Sequence, residues 1–351
     1  MTVDNTKLEK FMEKAVSDIG GAASAALVVI GDKLGLYKAL ANSGPLTPLE
    51  LSKKTSTSER YIREWLANQA AGGYIMYDLN KGQYFMTEEQ AYALAKEDSP
   101  VFLPGAFQIM ASVIKDEPKI TRAFVTGNGV DWGDHDPDLF EGTERFFKPN
   151  YLANLITNWI PALDGVEAKL RNGAKVADIG CGHGSSTILM AKTYPNSTFI
   201  GFDYHKPSVE WAQREAEKAG VADRAKFEVA SSTNFPGYDY DLVSFFDCLH
   251  DMGDPVGAMT HTKKSLKKDG TLFLVEPFAH DKLEDNLNPI GRIFYAASTL
   301  VCVPASLAHN GPALGAQAGE EKLKQVVLAG GFTHFRRATQ TPFNLILEAR
   351  P

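Results

Sequence analysis

The stretch Val176-Ala177-Asp178-Ile179-Gly180-Cys181-Gly182-His183-Gly184-Ser185-Ser186 decides the fold. Residues 175–179 are an apolar run of strand length. Three glycines follow at every second position, and residues 185–193 then carry Ile188, Leu189 and Met190 at helical spacing. A strand, a glycine turn and a helix let backbone approach a ligand and aim a helix N-terminus at it. Glycine serves there because a Cβ would block the approach and because such turns demand positive φ. In the dinucleotide pattern G-x-G-x-x-G the third glycine would fall at 185, which is Ser185. Here the third glycine is Gly184, so the pattern is D-x-G-x-G-x-G starting at Asp178.

Downstream the α/β alternation is regular. Residues 198–202 form a second apolar strand ending in Asp203, about 20 residues beyond the glycine loop, where a carboxylate can accept from ribose hydroxyls. A helix over 207–219 stops at Gly220. Strand 227–230 runs into Ser231-Ser232, and strand 240–246 ends at Asp247. A helix over 255–267 stops at Asp269-Gly270, and strand 271–275 ends at Glu276. Helix 320–329 and strands 332–338 and 344–349 close the chain with a hairpin.

The Asp178 to Gly184 pattern resembles motif I of the class I S-adenosylmethionine (SAM) dependent methyltransferases. That resemblance implies a Rossmann-like domain of seven strands, the last antiparallel. It also implies that Asp178, Gly180, Gly182, Gly184, Asp203 and the turn at Asp247 hold SAM. Ser231 stands where many members carry an acid near the adenine, a departure from the family pattern. The stretch Asp247-Cys248-Leu249-His250-Asp251-Met252-Gly253-Asp254 resembles the L-H-D-[WM]-x-D segment of the winged-helix small-molecule O-methyltransferases, and the tail around Ala308-His309-Asn310 resembles their pocket segment. In that family the histidine, here His250, takes the proton of the acceptor hydroxyl, and a glutamate, here Glu276, orients it. Gln317 stands where many members have a second glutamate. The family's metal-dependent catechol-type relatives generally lack a winged helix, so no metal is expected.

Elementary chemistry supports the same assignment. Methyl transfer from a sulfonium is an in-line displacement, so catalysis is mostly positioning. A phenol or alcohol is a weak nucleophile until deprotonated, and histidine titrates near neutrality. A neighbouring glutamate would fix its tautomer and favour the charged ring. Three rival readings stay open: methylation of N, S or C with His250 only positioning, a regulator that binds SAM or another ligand and transfers nothing, and a nicotinamide enzyme, which Ser185 in place of the third glycine disfavours.

The domain boundaries read as a mostly helical unit over 1–100, a helical connector over 101–170 and the SAM-binding domain over 171–351. In the first, Leu8, Phe11, Met12 and Val16 recur at helical spacing, and Thr47-Pro48-Leu49-Glu50 is a capped helix start. The helix carrying Tyr61, Ile62, Trp65 and Leu66 is followed by two β-prone runs around Asp78-Leu79-Asn80-Lys81-Gly82, which makes a winged helix. Residues 57–71 hold two Arg and two Glu, so this helix lacks the basic footprint that phosphates require. The apolar N-terminal segments suit a homodimer interface instead. In the connector, Phe146, Phe147, Tyr151, Leu155 and Ile156 form a helical stripe, and the apolar run 290–303 is placed to cap a pocket for an apolar, aromatic acceptor.

The 351 residues are 44% hydrophobic and 23% charged with net charge −7, so no global attraction to nucleic acid or anionic membrane is expected. Three scattered cysteines argue against a disulfide framework and for a cytoplasmic protein. The apolar run 22–30 is too short to span a bilayer.

Overall fold

The computed structural model describes residues 3–351. The chain forms two compact units, Met1–Ile114 with Glu141–Pro149, and Lys115–Phe140 with Asn150–Pro351. The stretch 101–170 is divided between them.

In the first unit the apolar runs at 8–16 and 22–30 lie on one helix, Asn5–Lys33, whose first turn is capped by the Asp4 carboxylate. That run is therefore part of a 29-residue helix, which at about 1.5 Å per residue is long enough to cross a bilayer. Helix Pro289–Ala308 of the second unit passes the same test of length and composition, with 39% of its apolar window buried.

Helices Leu36–Ala41, Pro48–Thr55 and Glu59–Ala71 follow. Thr47 and Glu50 form the reciprocal capping box that their spacing predicts. Strands β1 (Met76–Asp78) and β2 (Gln83–Phe85) pair as the wing. Leu40, Leu51, Ile62, Trp65 and Leu66 share one core with Tyr37, whose hydroxyl donates to buried Gln69 at 2.5 Å. On helix Glu59–Ala71 each arginine is tied to a glutamate one turn away, Arg60 to Glu64 and Arg63 to Glu59. The charges on that helix are thus spent on each other.

The second unit is built on a seven-stranded sheet: β3 (Lys175–Ile179), β4 (Thr198–Asp203), β5 (Ala225–Val229), β6 (Tyr240–Phe246), β7 (Leu266–Pro277), β8 (His334–Gln340) and β9 (Asn344–Arg350). The order is β5-β4-β3-β6-β7-β9-β8. The first five are parallel, and β9 is antiparallel to both of its neighbours. The order reverses at β3, whose Val176 pairs with Phe199 on one side and Leu242 on the other. Ligands of open α/β sheets bind in the crevice outside the strand ends at such a reversal. The central strands are mostly apolar because both faces are covered, with Asp178 and Ser244 as buried polar exceptions. Ile179, Phe202, Val243, Phe245, Leu274 and Leu347 form one core with Met259 and Val327 from flanking helices.

Several boundaries shift by one or two residues from the sequence reading, and the start of β7 shifts most. Helix Pro255–Ser265 ends two residues early, and β7 begins at Leu266, which pairs with Tyr240 across a register shift. Asp269-Gly270 therefore interrupts the ladder of a strand instead of ending a helix.

Candidate active site

The site is assembled from the carboxyl ends of β3, β4, β6 and β7. At β3, Asp178 is 1% exposed. One of its oxygens accepts from the hydroxyls of Ser186 and Thr187 at 2.7 and 2.6 Å, and the other from Ser244 on β6 at 3.1 Å. Burial pushes its pKa up to about 6, against the pull of those three hydroxyls. Asp178 ties the strand end to the helix start and to β6, which fixes the loop between them.

That loop carries Gly180, Gly182 and Gly184, all at positive φ. A Cβ on Gly184 would lie 2.7 Å from the Phe227 ring, so this glycine is demanded by packing beneath the loop. Gly182 is different: no atom lies within 4 Å of the position of its missing Cβ, so its bare backbone faces open space. A Cβ on Gly180 would lie 2.8 Å from the Cys248 sulfur, which joins the loop to the β6 turn. His183 stacks on Trp211 with ring centroids 4.8 Å apart.

At the end of β4, Asp203 accepts from the Gly182 amide at 2.9 Å and from the His205 amide at 2.8 Å. Its carboxylate is thereby fixed beside the open face of the loop, with lone pairs left over. Ser231, two residues beyond β5, is exposed and shares a hydrogen bond with Thr233. The Ala230 amide donates to the Asp203 carbonyl, so the two strand ends meet.

The β6 turn brings the remaining groups together. Asp247 has φ +53°, and one of its oxygens accepts from Asn344 at 3.0 Å. Its other oxygen, Oδ2, is buried with no hydrogen-bond partner. His250 and Glu276, 26 residues apart, meet with His250 Nδ1 2.5 Å from Glu276 Oε2. The other Glu276 oxygen accepts from the Leu249 amide at 2.9 Å, so the carboxylate is locked in place. Burial is the largest influence on the His250 ring and opposes its charge, but the adjoining Glu276 carboxylate and the Cys302 thiol together outweigh it and hold the pKa well above 6.5.

The other ring nitrogen, Nε2, faces the thiol of Cys302 at 3.3 Å. Cys302 lies in Ser298–Cys302, a π-helical turn within Pro289–Ala308, and such turns concentrate at functional sites. The apolar run 290–303 is thus a wall of the histidine's surroundings, and no sequence signal pointed to Cys302 as a site residue. Gln317 donates to the carbonyls of Phe278 and Ala316, and the structure does not bring it to the His250 ring.

Four carboxyl groups gather here, all raised by burial: Asp178, Asp203, Asp247 and Asp251, the last to about 7. Among the described residues no Lys or Arg forms an ion pair with any of them. Histidines are the cationic groups that face them, His250 beside Asp247 and Asp251 and His205 and His183 beside Asp203, and carboxylates in such a setting favour a further positive charge.

Known proteins are similar in the same places. Residues 170–325 match a methyltransferase domain. Over these residues the chain carries a methyltransferase domain. Residues 22–96 match an Rv2258c-like winged helix-turn-helix domain. The 27-O-demethylrifamycin SV methyltransferase of Amycolatopsis mediterranei is 32% identical over 145 residues, which cover 41% of this chain and 48% of that one. A tRNA (guanine-N(7)-)-methyltransferase of Pseudoalteromonas atlantica is 28% identical over 46% of this chain and 63% of that one. The chain thus spans about half to two-thirds of the length of these relatives, and their names differ widely in acceptor.

Among solved structures, a putative O-methyltransferase of Nostoc punctiforme superposes with a TM-score of 0.72 at 20% identity, covering 100% of both chains. Human N-acetylserotonin methyltransferase, solved in complex with SAM, gives 0.71 at 16% identity, covering 100% of this chain and 99% of that one. At such identities the fold is what is shared.

The methyltransferase domain's own residues fit the cofactor. The open backbone at Gly182 offers the close approach, Asp203 beside it offers a fixed acceptor, and the unpartnered Oδ2 of Asp247 suits a positive charge.

Proposed function

We propose that the protein transfers a methyl group from SAM to a hydroxyl oxygen of a small apolar or aromatic metabolite, with His250 as general base. The observation that carries this is the Glu276–His250 pair, its Nε2 directed at the apolar helix and its ring at the end of β6. Gly180, Gly182, Gly184, Asp203, Ser231 and Asp247 line the cofactor side, with Asp178 anchoring the loop. Bound there, SAM supplies an activated methyl on a positively charged sulfur. Glu276 holds Nδ1 protonated, so Nε2 of the neutral ring takes the acceptor's proton as the O–CH3 bond forms, and the S–CH3 bond breaks. Formation of S-adenosylhomocysteine (SAH) from SAM with a panel of phenols and hydroxylated polycyclic aromatics tests the reading. SAM binding without turnover on any of them would favour the SAM-binding regulator.

Because the Cys302 thiol occupies the hydrogen-bonding direction of Nε2, an acceptor hydroxyl has to displace it. Cys302→Ala is expected to lower KM for the acceptor a few-fold with kcat within about threefold. An unchanged KM would show that the acceptor reaches the ring from elsewhere.

The proposed partner beyond the acceptor is a second copy of the chain. Leu8, Phe11, Met12, Val16 and Ile19 are 45–69% exposed and share one face of helix Asn5–Lys33. Such a stripe is more than a monomer ordinarily leaves in water. Sedimentation should give a dimer, and the double substitution Phe11→Glu, Val16→Glu should give a monomer. No nucleic-acid partner is proposed, since Arg60 and Arg63 are already paired. The three cysteines are free, in keeping with the cytoplasmic location proposed here.

A further inference from the structure

Four asparagines form an unbroken ladder into the site. Asn158 donates to Asn154 at 2.9 Å, Asn154 to Asn150 at 2.7 Å, Asn150 to Asn344 at 2.7 Å, and Asn344 to Asp247 at 3.0 Å. Every step is an Nδ2 donor on an Oδ1 acceptor. The first three stand one turn apart, Asn150 and Asn154 in helix Asp138–Asn154 and Asn158 in the π-helical turn Leu155–Trp159. Asn344 opens β9, where it pairs with Pro277 next to Glu276. The ladder runs from an exposed side chain, Asn158, to the buried Asn344.

Ladders of hydrogen bonds polarise one another. Here all the amide dipoles point the same way, with the donor end on Asp247. That arrangement does two things. It fixes the rotamer of Asp247, whose backbone is already in the left-handed region. It also consumes Oδ1 only, so that Oδ2 remains buried and unpartnered. Burial and the neighbouring Glu276 raise the pKa of Asp247 well above the carboxylate range, while His250 and Asn344 pull it down and Asp251 adds to the rise. Tyr151, buried in the same place, faces Asp247 as well. None of these groups satisfies Oδ2.

We propose that the Asn158–Asn154–Asn150–Asn344 ladder is a positioning device that presents Asp247 Oδ2 to the positive charge of the bound cofactor, and that through it the site prefers the sulfonium SAM to its neutral thioether product SAH. The inference rests on the cofactor reading above. Asp247 is the binding residue, and Asn344 and Asn150 act through it. A preference of this kind favours release of the product over release of the substrate.

The test is isothermal titration of the full-length protein with SAM and with SAH at pH 8, for the wild type, Asn344→Leu and Asn150→Ala. Asn150 is half-buried, so its truncation keeps the proposal testable if Asn344→Leu does not fold. The expected result is a loss of about tenfold in SAM affinity for Asn344→Leu and about threefold for Asn150→Ala. SAH affinity should stay within twofold, so the SAM-to-SAH ratio falls. Equal weakening of both ligands would mean general damage to the pocket and overturns the proposal, as does an unchanged ratio. Failure of the wild type to bind either ligand would instead sink the cofactor reading, and the ladder's assignment with it.

Discussion

Replacing His250 by alanine is expected to lower turnover by about 10²–10⁴-fold, the range that general-base catalysis contributes, while leaving SAM affinity within a few-fold. The separation follows from the geometry. His250 touches Glu276 through Nδ1 and Cys302 through Nε2, whereas the glycine loop is held by Asp178 and Asp203. Steady-state SAH formation and titration with SAM measure the two effects. A His250→Ala variant that keeps most of its turnover would show that alignment alone drives the reaction and would support methylation of N, S or C.

The pH profile sharpens the same test. Only the neutral ring can accept a proton, and Glu276 holds the His250 pKa well above 6.5. In the free enzyme kcat/KM should therefore rise with pH, with an acidic limb centred above the ordinary histidine value. Glu276→Gln keeps a hydrogen-bond acceptor but removes the charge. Its limb should move toward lower pH, and its plateau should fall because the imidazolium formed in the transition state loses its counter-charge. A limb that stays put would mean that Glu276 only orients the ring.

The parts of this molecule that were legible in sequence are those whose cause is local. Helix Ser185–Thr193 and strand Lys175–Ile179 fall where the glycine spacing puts them, and the Thr47 cap is formed by the two residues that announce it. His250 and Glu276 were nameable from their resemblance to a family segment, and they lie at or just beyond the carboxyl ends of β6 and β7, which converge in a parallel sheet. What was not legible is what long-range packing decides. Ser244 reaches Asp178 from 66 positions away and ties β6 to the end of β3. Cys302 meets His250 across 52 residues, and Asn344 meets Asp247 across 97. The start of β7 was misplaced for a related reason. Lys267 to Gly270 reads locally as a helix end, and only Leu266 pairing with Tyr240 makes it strand.

The second large expectation concerns stability, and it follows from the acids that make the site fit a cation. Burial raises Asp251 from 3.8 to about 7. An acid with a higher pKa folded than unfolded binds more protons when folded, so it favours folding at low pH and disfavours it as pH rises through that window. At 1.36 kcal/mol per unit, the shift is worth on the order of 4 kcal/mol at most. His250, raised in the same site, loses its contribution in the same direction as its proton leaves. Without ligand, Asp251→Asn should therefore unfold at nearly the wild-type temperature at pH 4 and well above it at pH 8, the gap opening between about pH 4 and 7. Saturating SAM should narrow that gap at pH 8, because a cation stabilises the ionised carboxylate of the wild type and gains less from the amide. Thermal unfolding across pH 4–8, with and without SAM, measures both effects. A gap independent of pH would mean that Asp251 is not the buried acid described here. A gap that SAM leaves untouched would mean that the ligand's positive charge is answered elsewhere, with Asp247 the next carboxylate to substitute.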